Sequence, residues 1–460
     1  MTDTKKLGMW SGVGLVIANM IGAGVLTSTG FAAMALAPSH ILLAWFVGGI
    51  TALCGARAYA AVAHAIPRSG GEYTYLSTLW HPMLGYIAGF TSLIVGFSQP
   101  VAADSQLAGY YFTTLGLDIP WQVPTVGVIV LVTLLHAINL RASRRGQNIL
   151  VAVKIVLVVG FVAVGLIAGN NSYPSWVPDP AKAGLPIEPF FNNLVFIAFC
   201  YSGWNAAIYA SEEFANPRRD VPRAMMIGCA IVMGIYLLVN WVFVANLTPK
   251  HFGEWISGDY KRITLGHFLM RDLLGSSAAK VMSVFMIVTL FAAASAMTMI
   301  GPRVYAAMAR DGYLPKVFAA KDDGHPPMMS VLLQGAIAIA VSLTSTFVNS
   351  ISTIGAILTL MAAMVVMGVF KLYLTERGDN RPTIGAMLAA TVFVGLSGWM
   401  LYFSFTSPIL KTVHLPYVKD PVPAPAVWLV FIVIVSLGYA AWVAVRHPKP
   451  KFDVPPPDKA

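Results

Sequence analysis

Two hydrophobic stretches of this chain are each broken at their middle by small residues, at Met20-Ile21-Gly22-Ala23-Gly24 and at Tyr201-Ser202-Gly203-Trp204-Asn205. An interrupted helix in a bilayer leaves backbone N–H and C=O groups without intrahelical partners. That cost is tolerated only where the freed groups line a cavity or are buried in protein. Corresponding breaks in two halves of a chain point to the binding site of a secondary transporter. The premise is that the stretches lie in a membrane, and composition supports it. Of the 460 residues, 57% are hydrophobic and 11% charged, against about 25% charged in a soluble domain.

Runs of about 20 apolar residues predict twelve spans, near 9–37, 39–66, 83–113, 122–140, 147–169, 190–214, 223–246, 276–308, 328–347, 350–374, 383–406 and 424–446. Loop charge orients them, because Lys and Arg beside spans stay cytoplasmic. Most of the 30 Lys and Arg fall in loops on the side of both termini, among them Arg57, Arg68, Arg141, Arg144, Arg145, Arg218 and Arg219. Both termini are therefore expected in the cytoplasm, with the protein integral to a plasma membrane, or an inner membrane in a bacterium. The net charge of +10 sits in these loops, where anionic lipid neutralises it, and calls for no nucleic-acid partner.

Cys54, Cys200 and Cys229 all fall inside predicted spans and make no disulfide or metal pattern. The first span is too long for a cleavable signal, and the Pro- and Lys-rich tail, about 447–460, is expected to be disordered. The histidines do not recur at metal-ligand spacing, and no hydrolase or phosphate-loop motif occurs. This argues against an enzyme, a bound cofactor or ATP-driven pumping.

At the first break, Gly22-Ala23-Gly24 lets the chain unwind and present N–H groups at the start of a second half-helix, a position that favours an anion such as a carboxylate. The same small residues also suit close helix packing. At the second break the first half-helix ends in exposed carbonyls, which suit an ammonium group, and Phe199 lies one turn earlier. One break offering donors and another offering acceptors describe a receptor for a zwitterion.

Four segments resemble the amino acid–polyamine–organocation (APC) superfamily: IGAGVLTSTGF from Ile21 to Phe31, PRSGGEYTYLSTLWHPMLGYIAG from Pro67 to Gly89, FCYSGWNAAIYASEEFANPRRDVPRA from Phe199 to Ala224, and RVYAAMARDGYLPKVF from Arg303 to Phe318. The third is most similar to the L-type amino acid transporter branch. The resemblance implies an all-α membrane protein of the leucine-transporter-like fold. In it, repeat one (about 9–169) and repeat two (about 190–374) are inverted copies of five spans, and 383–446 adds two helices. It implies that amides of Gly22, Ala23 and Gly24 hold the substrate carboxylate, that carbonyls of Met20, Phe199, Cys200 and Ser202 hold the amine, and that Phe199 is an aromatic gate. Trp204 and Asn205 join the gate, with Asn205 where some acid-resistance exchangers have glutamate. Met297 stands where such exchangers place a second gating tryptophan. These departures weigh against a dedicated arginine exchanger, and Met297 with the small residues suits several apolar side chains.

Two charged residues fall inside spans. Lys154 is about seven residues, roughly 10 Å, into span 5. Intramembrane charge is functional by default, and several sodium-independent members of the resembled family carry a lysine where sodium-coupled ones bind an ion. Lys154 thus stands in for a cation, relays a proton, or snorkels to the near face. Asp104 follows Ser98-Gln99-Pro100, where the proline kinks span 3 and makes those three residues expected pocket walls. Asp104 binds a cationic solute, carries a proton or, as span 3 ends soon after it, sits in the outer water layer; the last is favoured.

The sequence therefore predicts a sodium-independent secondary transporter of neutral L-amino acids, an exchanger or proton-coupled, working by alternating access. Its partners are the amino acid, the bilayer and protons as coupling ion; the sequence leaves any partner subunit open. The alternatives are a carrier of cationic amino acids or polyamines that uses Asp104, and a non-transporting nutrient receptor on the same fold.

Overall fold

The computed structural model describes residues 7–22, 24–116, 118–138, 140–169, 184–246, 265–319, 327–407, 411–413 and 420–446. Ala23 and the tail at 447–460 lie outside the described residues. Sixteen α-helices run through these segments, joined by one antiparallel ladder pairing β1, Lys411–Val413, with β2, Val422–Pro423. The ladder is a small departure from the expected all-α chain.

The first hydrophobic stretch folds as α1, Met9–Met20, and α2, Gly24–Ala33, which meet at 41°. Extended backbone at Ile21 ends α1. Next come α3, Pro38–Ala65, and a short α4, Glu72–Leu79. The third stretch, 82–114, has three parts: α5, Pro82–Thr91, a π-helical segment, Ser92–Ser98, and α6, Gln99–Thr114. Pro100 explains the middle part. It has no N–H to give the Gly96 carbonyl, so the preceding turn widens, with Gln99 N–H reaching back to Ile94 O.

Two helices, α7, Gln122–Ile138, and α8, Leu140–Ala168, lead to the second broken stretch. There α9, Ile187–Tyr201, stops at Ser202, Gly203 turns the chain with φ +95°, and a 3₁₀ stretch, Ala206–Glu213, continues. The remaining helices are α10, Pro217–Asn246, α11, Leu265–Leu274, α12, Ser276–Arg310, α13, Met328–Thr344, α14, Phe347–Thr375, α15, Ile384–Thr406, and α16, Ala424–Arg446.

Nine helices among the described residues are long and apolar enough to cross a membrane, ten if α1 and α2 form one bent span, while α7 and α13 are shorter apolar helices. Their burial sorts them. In the segment 82–114, 89% of the most apolar window is buried, against 28% in 149–168 and 22% in 424–441. The former stands at the centre, and the latter two present Ile149, Val156, Ile167 and Ile434 outward. Apolar side chains outside and polar ones inside are what a lipid solvent selects. α3 lies along α10, α6 along α12, and α7 along α13, while the broken stretches pack on the first of these pairs, α1 on α10 and α9 on α3, and on each other.

Candidate functional site

The two breaks touch. A Cβ placed on Gly24 would lie 2.7 Å from Cys200 Sγ and 3.1 Å from Cys200 Cα, and one placed on Gly203 would lie 3.0 Å from both the carbonyl carbon and oxygen of Asn19. Each break thus uses a glycine to admit the backbone of the other, and Gly203 also needs its left-handed φ. Any side chain at Gly24 would meet Cys200 before it reached the cavity. Gly22 is the open position, with Ala293 Cβ 3.7 Å and an Asp104 oxygen 3.9 Å from its would-be Cβ.

Side chains from two further helices tie the breaks together. Tyr236 of α10 points its hydroxyl at Met20 O, 2.5 Å, and Cys200 O, 2.9 Å, so one proton is shared by carbonyls of both breaks. Asn240, one turn on, accepts from Thr29, which accepts in turn from Trp45 Nε1. Ser28 and Cys200 Sγ are 3.0 Å apart. Lys154 is 0% exposed, and its Nζ donates to Ala18 O, 2.8 Å, and Ile21 O, 2.5 Å. It does not snorkel: two carbonyls freed or loosened by the first break hold its ammonium.

A small cavity of about 20 Å³ lies at this junction. Met20, Gly22, Gly24, Phe199, Cys200, Ser202, Pro100, Met297 and Asp104, all singled out from the sequence, line it together with Asn19 and Ala293. Asp104 is 4% exposed. The favoured placing in the outer water layer is therefore wrong, because α6 continues ten residues beyond Asp104 to Thr114, about 15 Å of helix. Ser98 and Gln99 are not on the wall. The π-helical turn changes the register, so that Pro100 and Asp104 face the small cavity while Ser98 Oγ bonds Leu93 O at 2.6 Å and Gln99 is buried elsewhere.

The carbonyls differ in what they have left to offer. Phe199 O already accepts from Ser202 N, 3.0 Å, and Ser202 Oγ, 2.6 Å, and a carbonyl has two lone pairs. Met20 O and Cys200 O each accept the shared Tyr236 proton and keep acceptor capacity. At the facing end, α2 begins at Gly24, and the first N–H groups of a helix have no intrahelical acceptor.

A larger cavity of about 90 Å³ adjoins the first, sharing Asn19, Ser202 and Met297. Trp204 and Asn205 line it, and so does Glu72, from the Pro67–Gly89 segment. Glu72 is 7% exposed and accepts from Tyr59 at 3.1 Å, Asn205 at 2.5 Å and Tyr209 at 2.6 Å. Trp204 stands edge-on to Tyr59 at 4.7 Å. At the end of the bundle where α1 starts, Arg303 pairs with Glu213 at 2.7 Å and Tyr73 donates to Asp311 at 2.7 Å. Glu72 had a signal in sequence, an acid within an otherwise uncharged Gly-Gly-Glu-Tyr run. So did Tyr236 with Asn240, two polar groups spaced to share a face on a long apolar helix.

Broken helices that set donors against acceptors at a shared cavity have the geometry to receive a solute within a membrane bundle. Residues 7–437 match the amino acid permease family, and the chain belongs to it. It is similar to the b(0,+)-type amino acid transporter 1 of Mus musculus, 24% identical over 99% of this chain and 94% of that protein. It is likewise similar to the mouse large neutral amino acids transporter small subunit 2, 24% identical over 91% and 80%, and to the mouse Asc-type amino acid transporter 1, 25% identical over 91% and 80%. The protein is an amino acid permease of the membrane, a transporter and not an enzyme.

Proposed function

We propose that the permease carries neutral L-amino acids by alternating access, without sodium, as an exchanger or coupled to protons. The observation that carries this reading is the small cavity between the two breaks. The solute's carboxylate is held by the N–H groups at Gly22 and Gly24, and its ammonium by carbonyls of Met20, Cys200 and Ser202; the Ala23 amide expected beside them lies outside the described residues. Phe199 and Met297 bound the side chain. Gating falls to Phe199, Trp204 and Asn205.

Lys154 stands in for a cation at the first break, since its ammonium donates to backbone carbonyls as a bound ion would accept them as ligands. The Asp104 carboxylate lines the small cavity beside the first break, whose carbonyls hold that ammonium. Their charges offset each other, which leaves the cavity near neutrality and favours an uncharged side chain. Asp104 also supports the second reading, a carrier of cationic amino acids or polyamines, because it faces the cavity.

The twelve spans are the ten long or bent ones with α7 and α13 added. Their packing supports two inverted repeats of five, since spans 1, 2, 3 and 4 lie against spans 6, 7, 8 and 9. Loop charge supports termini in the cytoplasm. One relative is named a small subunit, so a partner chain belongs to the reading as an open position.

The test is uptake and counterflow in proteoliposomes of purified protein, without sodium, at several proton gradients. Leucine, alanine, serine and phenylalanine are expected to compete with the labelled solute, and lysine and putrescine to fail. Competition by lysine and putrescine alone would establish the cationic reading. Binding without any flux would establish a receptor.

A further inference from the structure

The larger cavity reaches from the small one into the half of the bundle that holds the start of α1. We propose that it is a second, transient subsite of the transport path. In it the ammonium of the departing solute rests against the Glu72 carboxylate, with the solute's apolar side chain against the rings of Trp204 and Phe393. The inference rests on the transport reading above and adds a site to it.

The charge at Glu72 is the first ground. An ionised carboxylate inside a membrane bundle is costly unless it is paired or fully hydrogen-bonded. Its three bonds, from Tyr59, Asn205 and Tyr209, all come from neutral donors, and no Lys, Arg or His pairs with it among the described residues. A carboxylate offers about four acceptor positions, so one remains, and Glu72 lines the cavity. A mobile ammonium supplies the missing donor and the missing charge.

The opposite kind of group provides the second ground. Ser397 Oγ of α15 is fully buried without a hydrogen-bond partner, and Ser397 lines the same cavity. Phe393, Ser397 and Met400 are spaced four and three residues apart, so they share one face of α15, and all three line the cavity. The hydroxyl is available to the solute's carboxylate. Phe393 and Trp204, with ring centroids 6.4 Å apart, give an aromatic wall of the sort that holds both apolar chains and cations. An apolar cleft with a few convergent polar groups is the usual form of a small-molecule site. The shared lining at Asn19, Ser202 and Met297 makes it continuous with the first site.

The test uses 2-phenylethylammonium, which carries the amine and a ring but no carboxylate, and equilibrium dialysis against the purified full-length protein. Wild type is expected to bind it, and Glu72→Gln to weaken binding by about tenfold or more, because an ion pair held in a desolvated site is lost. Glu72→Asp keeps the charge and should retain most of the affinity. Ser397→Leu fills the cavity and holds none of the bonds to Glu72, so it should weaken binding even if Glu72→Gln fails to reach the membrane. Equal affinity in wild type, Glu72→Gln and Ser397→Leu, or equal binding of 3-phenylpropionate, would overturn the subsite. Failure of the transport reading would show separately, as absence of amino acid flux in wild type.

Discussion

Gly203→Val is expected to abolish uptake, and Gly24→Val to do so nearly as fully. At Gly203 two penalties coincide. The residue holds φ +95°, a region in which a β-branched residue is a genuine outlier, and its Cβ would press on the Asn19 carbonyl at 3.0 Å. Backbone cannot swing aside as a flexible side chain can. At Gly24 the obstacle is Cys200, whose Cα lies 3.1 Å from the would-be Cβ. Either substitution separates the two breaks and with them the donors from the acceptors. We expect initial uptake to fall by about a hundredfold or more, equivalent to about 2.8 kcal/mol of lost binding. Gly160 provides the control, because a Cβ there meets nothing within 4 Å, and Gly160→Ala should transport normally. Uptake per molecule of membrane-inserted protein is the measurement. Normal uptake by Gly203→Val would mean that the breaks need not meet.

The second large effect belongs to Lys154. Its ammonium holds Ala18 O and Ile21 O, on either side of the end of α1, and Lys154→Ala leaves buried acceptors with a donor removed, a loss of about 1–3 kcal/mol per group. Uptake should fall by about tenfold or more on that basis. Lys154→Arg should fail too, because the planar guanidinium is larger and presents its donors in a rigid fork. If that ammonium takes the place of a coupling ion, as proposed, wild-type uptake is indifferent to sodium. Uptake against pH in sodium-free proteoliposomes checks this for all three proteins. Three superimposable profiles, or an absolute sodium requirement in wild type, would remove Lys154 from the mechanism.

These residues also show how much of the molecule was legible in the sequence. The breaks were, because Gly22, Gly24 and Gly203 interrupt long apolar runs, and a bilayer leaves few reasons for such an interruption. The hydrophobic runs themselves matched helices closely, as at 276–308, where α12 spans Ser276–Arg310. Register was harder. Ser98 and Gln99 are adjacent to Pro100 in sequence yet point away from the cavity, because a π-helical turn shifts the face by a fraction of a residue per turn, and no pattern of apolar residues announces it. Asp104 was misplaced because the expected span 3 ends a turn or two after it, whereas α6 runs ten residues past it to Thr114 and other helices bury it. Contacts between distant helices were beyond reach. Tyr236 touching both Met20 and Cys200, and Glu72 gathering Tyr59, Asn205 and Tyr209, depend on how helices pack and have no fixed spacing along the chain.

The central claim is that separate breaks hold the two charged ends of one amino acid. It is tested most directly by competition binding with three forms of the best competitor: the free L-amino acid, its α-amide and its N-acetyl derivative. The amide loses the negative charge sought by the start of α2, and the N-acetyl form loses the ammonium sought by Met20, Cys200 and Ser202. Each derivative is expected to bind about a hundredfold more weakly than the parent, a charge-assisted hydrogen-bond set being worth about 1.5–3 kcal/mol. Binding of either derivative as tightly as the free amino acid would contradict the account.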